Sequence, residues 1–258
     1  MSFYSHSWCS PPDKLVISKY DVHVWKADIE KLAASLHTFA AILSYEERRR
    51  AERYRFERDR VRYIIAKGVL RIIIGNYYLT IDPTQIEFCY GTHGKPFLEK
   101  RFGDGKFHFN QSDSNGIVLY AFAIDRQIGI DLEYIRDIVD AQSIVANNFS
   151  EYEKKSFNAL PTKDKKEAFF KCWTRKEAYI KAIGKGLYYP LDQFDVSVSP
   201  NEPPKIIRID GSSAEASKWT LADVTTHSDY SAALAFEGVG AAMQLYEFPR
   251  KVNMFGFH

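Results

Sequence analysis

The order of elements in this chain runs twice, and a duplicated order constrains architecture more tightly than any local propensity does. Asp21-Val22-His23-Val24-Trp25 and Gln127-Ile128-Gly129-Ile130-Asp131 both read as short strands. Each is followed by a serine that opens a capping box, Ser44-Tyr45-Glu46-Glu47 and Ser150-Glu151-Tyr152-Glu153. In such a box the serine hydroxyl accepts from the third helical amide and the glutamate reaches back to the serine N–H. A long amphipathic helix is expected next, over residues 59–74 and again over 163–183, with Gly75 and Gly184 as C-terminal stops. Residues 82–88 are echoed by 191–196, and the apolar strand 116–123 by 230–236. The expected fold is α+β, a pseudo-dimer of two similar α+β halves, residues 1–125 and 126–258, each a small antiparallel sheet packed on a long helix. The seam at Asp125-Arg126 is too short for a flexible linker, and the cleft between the halves is the expected binding site.

With 258 residues, 45% apolar and 15% aromatic, such a chain has ample material for a core. A net charge of +2 does not mark a nucleic-acid binder. The run Arg48-Arg49-Arg50, with Arg53, Arg55, Arg58, Arg60 and Arg62, is a solvated helical face or an anion site, and no recognised nucleic-acid module accompanies it. Three widely spaced cysteines, Cys9, Cys89 and Cys172, give neither a disulfide framework nor a zinc pattern, so a reducing cytoplasm is expected. The N-terminus has no basic segment followed by an apolar run. The most apolar helix candidate is interrupted by Lys67 and Arg71, so neither secretion nor membrane insertion is indicated.

On a strand, Asp131 and Glu133 project from one face and can converge on one cation, although a solvated strand end with ordinary surface acids is the better explanation when they are taken alone. Residues 117–124 and 127–132 are expected to form a hairpin about the turn Asp125-Arg126. Trp173, Glu177 and Lys181 share a face of the second long helix, which ends in the basic turn Gly184-Lys185-Gly186-Leu187. Two carboxylates plus a third beside lysines suit magnesium, which keeps water and takes phosphate oxygens as further ligands. Gly94-Lys95-Pro96 reads as a turn and residues 109–116 as a polar loop before a strand.

These segments, in this order, resemble the signature of the 4′-phosphopantetheinyl transferases, specifically the larger surfactin-synthetase-activating type. The resemblance rests on Gly94-Lys95-Pro96, on Phe109-Asn110-Gln111-Ser112, on Gly129-Ile130-Asp131-Leu132-Glu133, and on the helix from Trp173 through Lys176-Glu177-Ala178 to Lys181. It runs from about residue 40 to about residue 200. It implies transfer of the phosphopantetheine arm of coenzyme A to a serine of an acyl or peptidyl carrier protein, with magnesium as cofactor and adenosine 3′,5′-bisphosphate released. By the same resemblance, Asp131, Glu133 and Glu177 are the metal ligands. Glu177 is also the candidate base, and Lys181 stabilises the leaving group. Lys95, Ser112, Asp113, Lys176, Arg49 and Arg62 are lesser candidates for coenzyme A contacts. The chain is expected to act as a monomer, with no nucleic-acid or membrane partner. One position departs from the family: Asp113 stands where a histidine is usual, and a carboxylate there would repel a diphosphate unless turned away or paired. A non-catalytic homologue that binds coenzyme A or a carrier is the rival reading.

Overall fold

The computed structural model describes residues 7–250. Strand β1 (Asp21–Asp28) runs into short helices α1 (Ile29–Leu32) and α2 (Leu36–Ile42), then α3 (Tyr45–Glu52) and α4 (Glu57–Ile72). The hairpin β2 (Phe88–Tyr90) and β3 (Pro96–Leu98) precedes β4 (Phe107–Ser114) and β5 (Ile117–Ile124). Past the seam come β6 (Ile128–Tyr134), α5 (Ala141–Asn148), α6 (Glu151–Asn158) and α7 (Thr162–Ile183). The hairpin β7 (Phe194–Val196) and β8 (Ile206–Ile209) follows, then α8 (Ser213–Ala216), β9 (Trp219–Asp223), β10 (Tyr230–Glu237) and β11 (Ala242–Glu247).

The main sheets are ordered β11-β1-β5-β4 and β6-β10-β9. Period-two alternation sends each strand's side chains to two different cores. On β5, Val118, Tyr120 and Phe122 face α4, whereas Leu119, Ala121 and Ala123 face the second sheet. On β10, Ala233 and Ala235 lie under α7 while Ala232, Leu234 and Phe236 face back. The molecule is therefore four layers, helix, sheet, sheet, helix, with a core in each of the three spaces between them.

Both capping boxes form in full, Ser44 with Glu47 and Ser150 with Glu153. Each glutamate has a second task. Glu47 accepts from Arg71 Nε at 2.7 Å, and Glu153 accepts from Lys176 Nζ at 2.6 and 2.7 Å. The two cations go on to bond backbone carbonyls, Pro83 and Ile86 for Arg71 and Phe194 for Lys176. A box that begins as a local helix signal thus ties a long helix to the segment entering each hairpin.

Four local expectations are corrected. The first long helix does not stop at Gly75: a π-helical turn, Ile73–Leu79, carries it on to Thr80, which takes the left-handed conformation at φ 54°. Gly75 serves close approach instead, since a Cβ there would lie 2.8 Å from the Ile81 carbonyl. In the second half Gly184 does end α7, at φ 68°. Residues 117–124 and 127–132 do not pair as a hairpin, because both edges of β5 are already taken by β1 and β4, so the chain crosses at Asp125 to the other sheet. Residues 109–114 are not a loop but the end of β4. Finally, β11 leaves the second half and pairs in parallel with β1, making the first sheet mixed.

Candidate active site

Strand β6 is an edge of its sheet and β4 an edge of the other, and the two are joined without a backbone ladder. Asn110, Ser112 and Ser114, two apart on β4, accept the free N–H groups of Ile130, Leu132 and Tyr134 at 2.9, 3.3 and 3.0 Å. Side chains of β4 therefore satisfy the amides that a lone edge would leave unpaired. On the face of β6 toward α7, Gly129 allows the helix to sit against the strand: a Cβ there would lie 2.2 Å from the Ala178 carbonyl and from Ala182 N. This close approach brings Glu177 and Lys181 over Asp131 and Glu133.

The four residues line one open cavity of about 380 Å³ with Gln111, Ser112, Asp113, Leu132 and Trp173. Lys181 Nζ lies 2.5 Å from Asp131 Oδ1 and donates to Ser112 Oγ at 2.9 Å. Asp131 is buried, and its Oδ2 has no hydrogen-bond partner. Burial and the neighbouring Asp131 charge push the carboxyls of Glu133 and Glu177 above their ordinary value, against the opposing pull of Lys181. One lysine thus leaves an excess of negative charge among three carboxylates, and an orphaned oxygen marks where a cation would be welcome. The donor chemistry fits a hard divalent ion. As they stand, the carboxylates do not close on one point: among the described residues no three His, Cys, Asp or Glu side chains are arranged to hold a metal.

The other expected site residues divide. Asp113 lies on the face of β4 toward α4 and is paired with Arg62, Nε to Oδ2 3.1 Å, so it is not a free anion. Ser112 belongs to the cavity through Asp131 and Lys181. Lys176 is fully buried, with Glu153 and the Phe194 carbonyl as acceptors of its ammonium. Lys95 is partly buried. Its stem passes Gly184, and its Nζ donates to the carbonyls of Ile128 and Ala182, joining the first hairpin to β6 and the end of α7. Arg49 is exposed over the Tyr45 ring and does not line the carboxylate cavity.

Lys67 was missed. It is buried on α4, its one hydrogen bond a 3.3 Å contact to the neutral amide oxygen of Gln111. Burial pushes its ammonium down to about 8. Gln111 and Asp113 are one strand face of alternating polar residues opposite Arg62 and Lys67, a pairing hidden when residues 109–116 are read as loop. Beyond Lys67, a cavity of about 680 Å³ is lined by Arg50, Arg53, Tyr54, Tyr63, Phe88 and Tyr90, among others, a mixture of guanidinium and ring surface.

The chain belongs to the 4′-phosphopantetheinyl transferase family. Residues 127–235 match the model for the 4′-phosphopantetheinyl transferase superfamily, and residues 25–124 match that for the 4′-phosphopantetheinyl transferase N-terminal region. It is 36% identical to the 4′-phosphopantetheinyl transferase HetI of Nostoc sp. over 235 residues, covering 91% of this chain and 95% of that one. It is 34% identical to the 4′-phosphopantetheinyl transferase Sfp of Bacillus subtilis over 161 residues, covering 61% and 67%.

Proposed function

We propose that this chain transfers the 4′-phosphopantetheine arm of coenzyme A to a serine of an acyl or peptidyl carrier protein, with adenosine 3′,5′-bisphosphate leaving. The observation that carries the reading is the meeting of Asp131, Glu133, Glu177 and Lys181 at one cavity. The serine oxygen attacks the phosphorus next to the pantetheine arm, the diphosphate bridge breaks, and the hydroxyl proton must be taken up. Asp131, Glu133 and Glu177 would hold magnesium, whose charge would offset that gathering on the diphosphate. Glu177, on the helix face over Asp131 and Glu133, is the candidate base. Lys181, already bonded to Asp131 and Ser112, is placed to stabilise the leaving phosphate. Lys67 and the arginine-and-ring cavity behind it supply cations and stacking surface for the nucleotide end.

The reading includes a pseudo-dimeric architecture acting as a cytoplasmic monomer. The same strand order, β1-β5-β4 and β6-β10-β9, supports duplication, as do the two capping-box glutamates holding buried cations and the matched regions that meet at residues 124 and 127. Among the described residues no helix is long and apolar enough to cross a membrane.

The test incubates the protein with coenzyme A and an unmodified carrier, with and without magnesium, and weighs the carrier. A mass gain of one phosphopantetheine that needs magnesium and is lost in Asp131→Ala is expected. Coenzyme A binding without any gain across a panel of carriers would favour a non-catalytic binder.

A further inference from the structure

The helix-facing side of β4 changes character along its length. Phe107 and Phe109 pack into the core under α4, and the same face continues as Gln111 and Asp113, opposite Lys67 and Arg62. Arg62 is held along one edge, its Nε 3.1 Å from Asp113 Oδ2 and an Nη2 3.6 Å from Asp59 Oδ1. Its side chain nonetheless remains 41% exposed. It lines a cavity of about 620 Å³ that shares Asp113 and Glu133 with the carboxylate pocket. A guanidinium fixed on one edge by a carboxylate presents its remaining N–H donors as a rigid fork, the geometry that suits phosphate oxygens.

Resting on the coenzyme A reading above, we propose that Arg62 is the cation for the coenzyme A diphosphate in this chain and that Asp113 is its positioning residue, the two acting as one unit. An aspartate facing a diphosphate alone would repel it. Paired with Arg62, it instead holds an otherwise mobile long side chain in place, so less conformational entropy is lost when the ligand arrives. The ordinary expectation for removing a carboxylate near phosphates is therefore reversed.

The test titrates coenzyme A by calorimetry into the wild-type chain, Arg62→Ala, Asp113→Ala, Asp113→Asn and the double variant, each checked for an unchanged melting temperature. Arg62→Ala is expected to weaken binding roughly tenfold or more, the scale of a lost charge-assisted hydrogen bond. Asp113→Ala is expected to weaken it about fivefold in the wild-type background and to strengthen it when Arg62 is already alanine, because the carboxylate is then an unpaired anion. That reversal of sign is something a merely structural role does not produce. Asp113→Asn keeps an acceptor for Nε–H and is expected to retain most of the affinity, which covers the case in which the alanine variant does not fold. Tighter binding by Asp113→Ala with Arg62 intact would overturn the proposal. The same titrations with dephospho-coenzyme A, which lacks the 3′-phosphate, locate the contact: an Arg62→Ala penalty that vanishes there would place Arg62 on the 3′-phosphate and overturn the diphosphate assignment. Absence of any coenzyme A binding by the wild-type chain would remove the underlying reading itself.

Discussion

A buried ammonium with a single long contact to a neutral amide is costly to the free protein, and Lys67 is such a group. Its folded pKa, about 8, lies below its ordinary 10.5, so the unfolded chain holds more protons between those values. The free protein should therefore gain stability as pH rises through that window. An anionic ligand reverses the preference by favouring the charged form. Coenzyme A affinity should accordingly fall as pH rises above about 8, by up to tenfold per unit, and Lys67→Arg should flatten the profile because arginine stays charged. Calorimetry between pH 7.5 and 9.5 checks this, and the same decline in the arginine variant would assign the titration elsewhere. Lys176 gives the opposite case. Its partner Glu153 is buried, and burial holds that carboxyl above its ordinary value despite the ion pair. Lys176→Met would leave the carboxylate uncompensated, and a loss of about 3–5 kcal/mol is expected in urea unfolding. Coenzyme A affinity of the folded fraction should be unchanged, which separates a structural lysine from a binding one.

At the scale of elements, the legible features were those whose signal is local. Ser44 and Ser150 announced their helix starts through the box pattern, and Gly184 announced the end of α7. The features that failed depend on partners distant in the chain. Nothing near Asn110 or Ser112 in sequence says that their acceptors serve the amides of Ile130 and Leu132 twenty residues on, so a period-two polar strand passed for a loop. Likewise the apolar runs flanking Asp125 carry no sign that β5 has both edges occupied. The carboxylate cavity was legible because Asp131 and Glu133 obey strand spacing and Trp173, Glu177 and Lys181 obey helix spacing. The acceptors that Lys95 and Lys176 take were not legible, because a lysine in a motif looks the same whether its ammonium meets solvent, backbone or a buried carboxylate. Gly129 tests how the two spacings are brought into register. Gly129→Ala would place a Cβ 2.2 Å from backbone atoms of α7, where no flexible side chain can yield. The helix must lift from β6, carrying Glu177 and Lys181 away from Asp131. A stability loss of several kcal/mol is expected, at the scale of a badly overpacked core. Transfer should drop even at temperatures where the variant stays folded. A variant with wild-type melting and turnover would show that the close contact does not set the site.

Across the whole molecule, the two halves share a core. The central core draws Val22, Val24, Leu119 and Ala121 from the first half and Ile128, Ile130, Leu234 and Phe236 from the second, all of them fully or almost fully buried. Strand β11 carries Met243 and Leu245 of that core across to β1, and Lys95 crosses the other way to cap carbonyls of β6 and α7. Cutting at the seam would expose a two-sheet apolar interface on both pieces and strip the first sheet of an edge strand. Exposed surface of that kind favours aggregation over independent folding. The cavity is shared in the same way, with Ser112 and Asp113 from one half and Asp131, Glu133, Glu177 and Lys181 from the other. Expressed alone, residues 1–125 and residues 126–258 should each fail to give a cooperative thermal transition. Co-expressed, they should assemble into a complex of the intact chain's size that regains carrier modification, since β11 and Lys95 need no covalent link at Asp125 to reach their partners. Circular dichroism melts of each piece and size-exclusion of the pair check this. A cooperative melt from residues 126–258 by themselves would mean that the second half has a sufficient core of its own, and that the central layer serves binding geometry rather than stability.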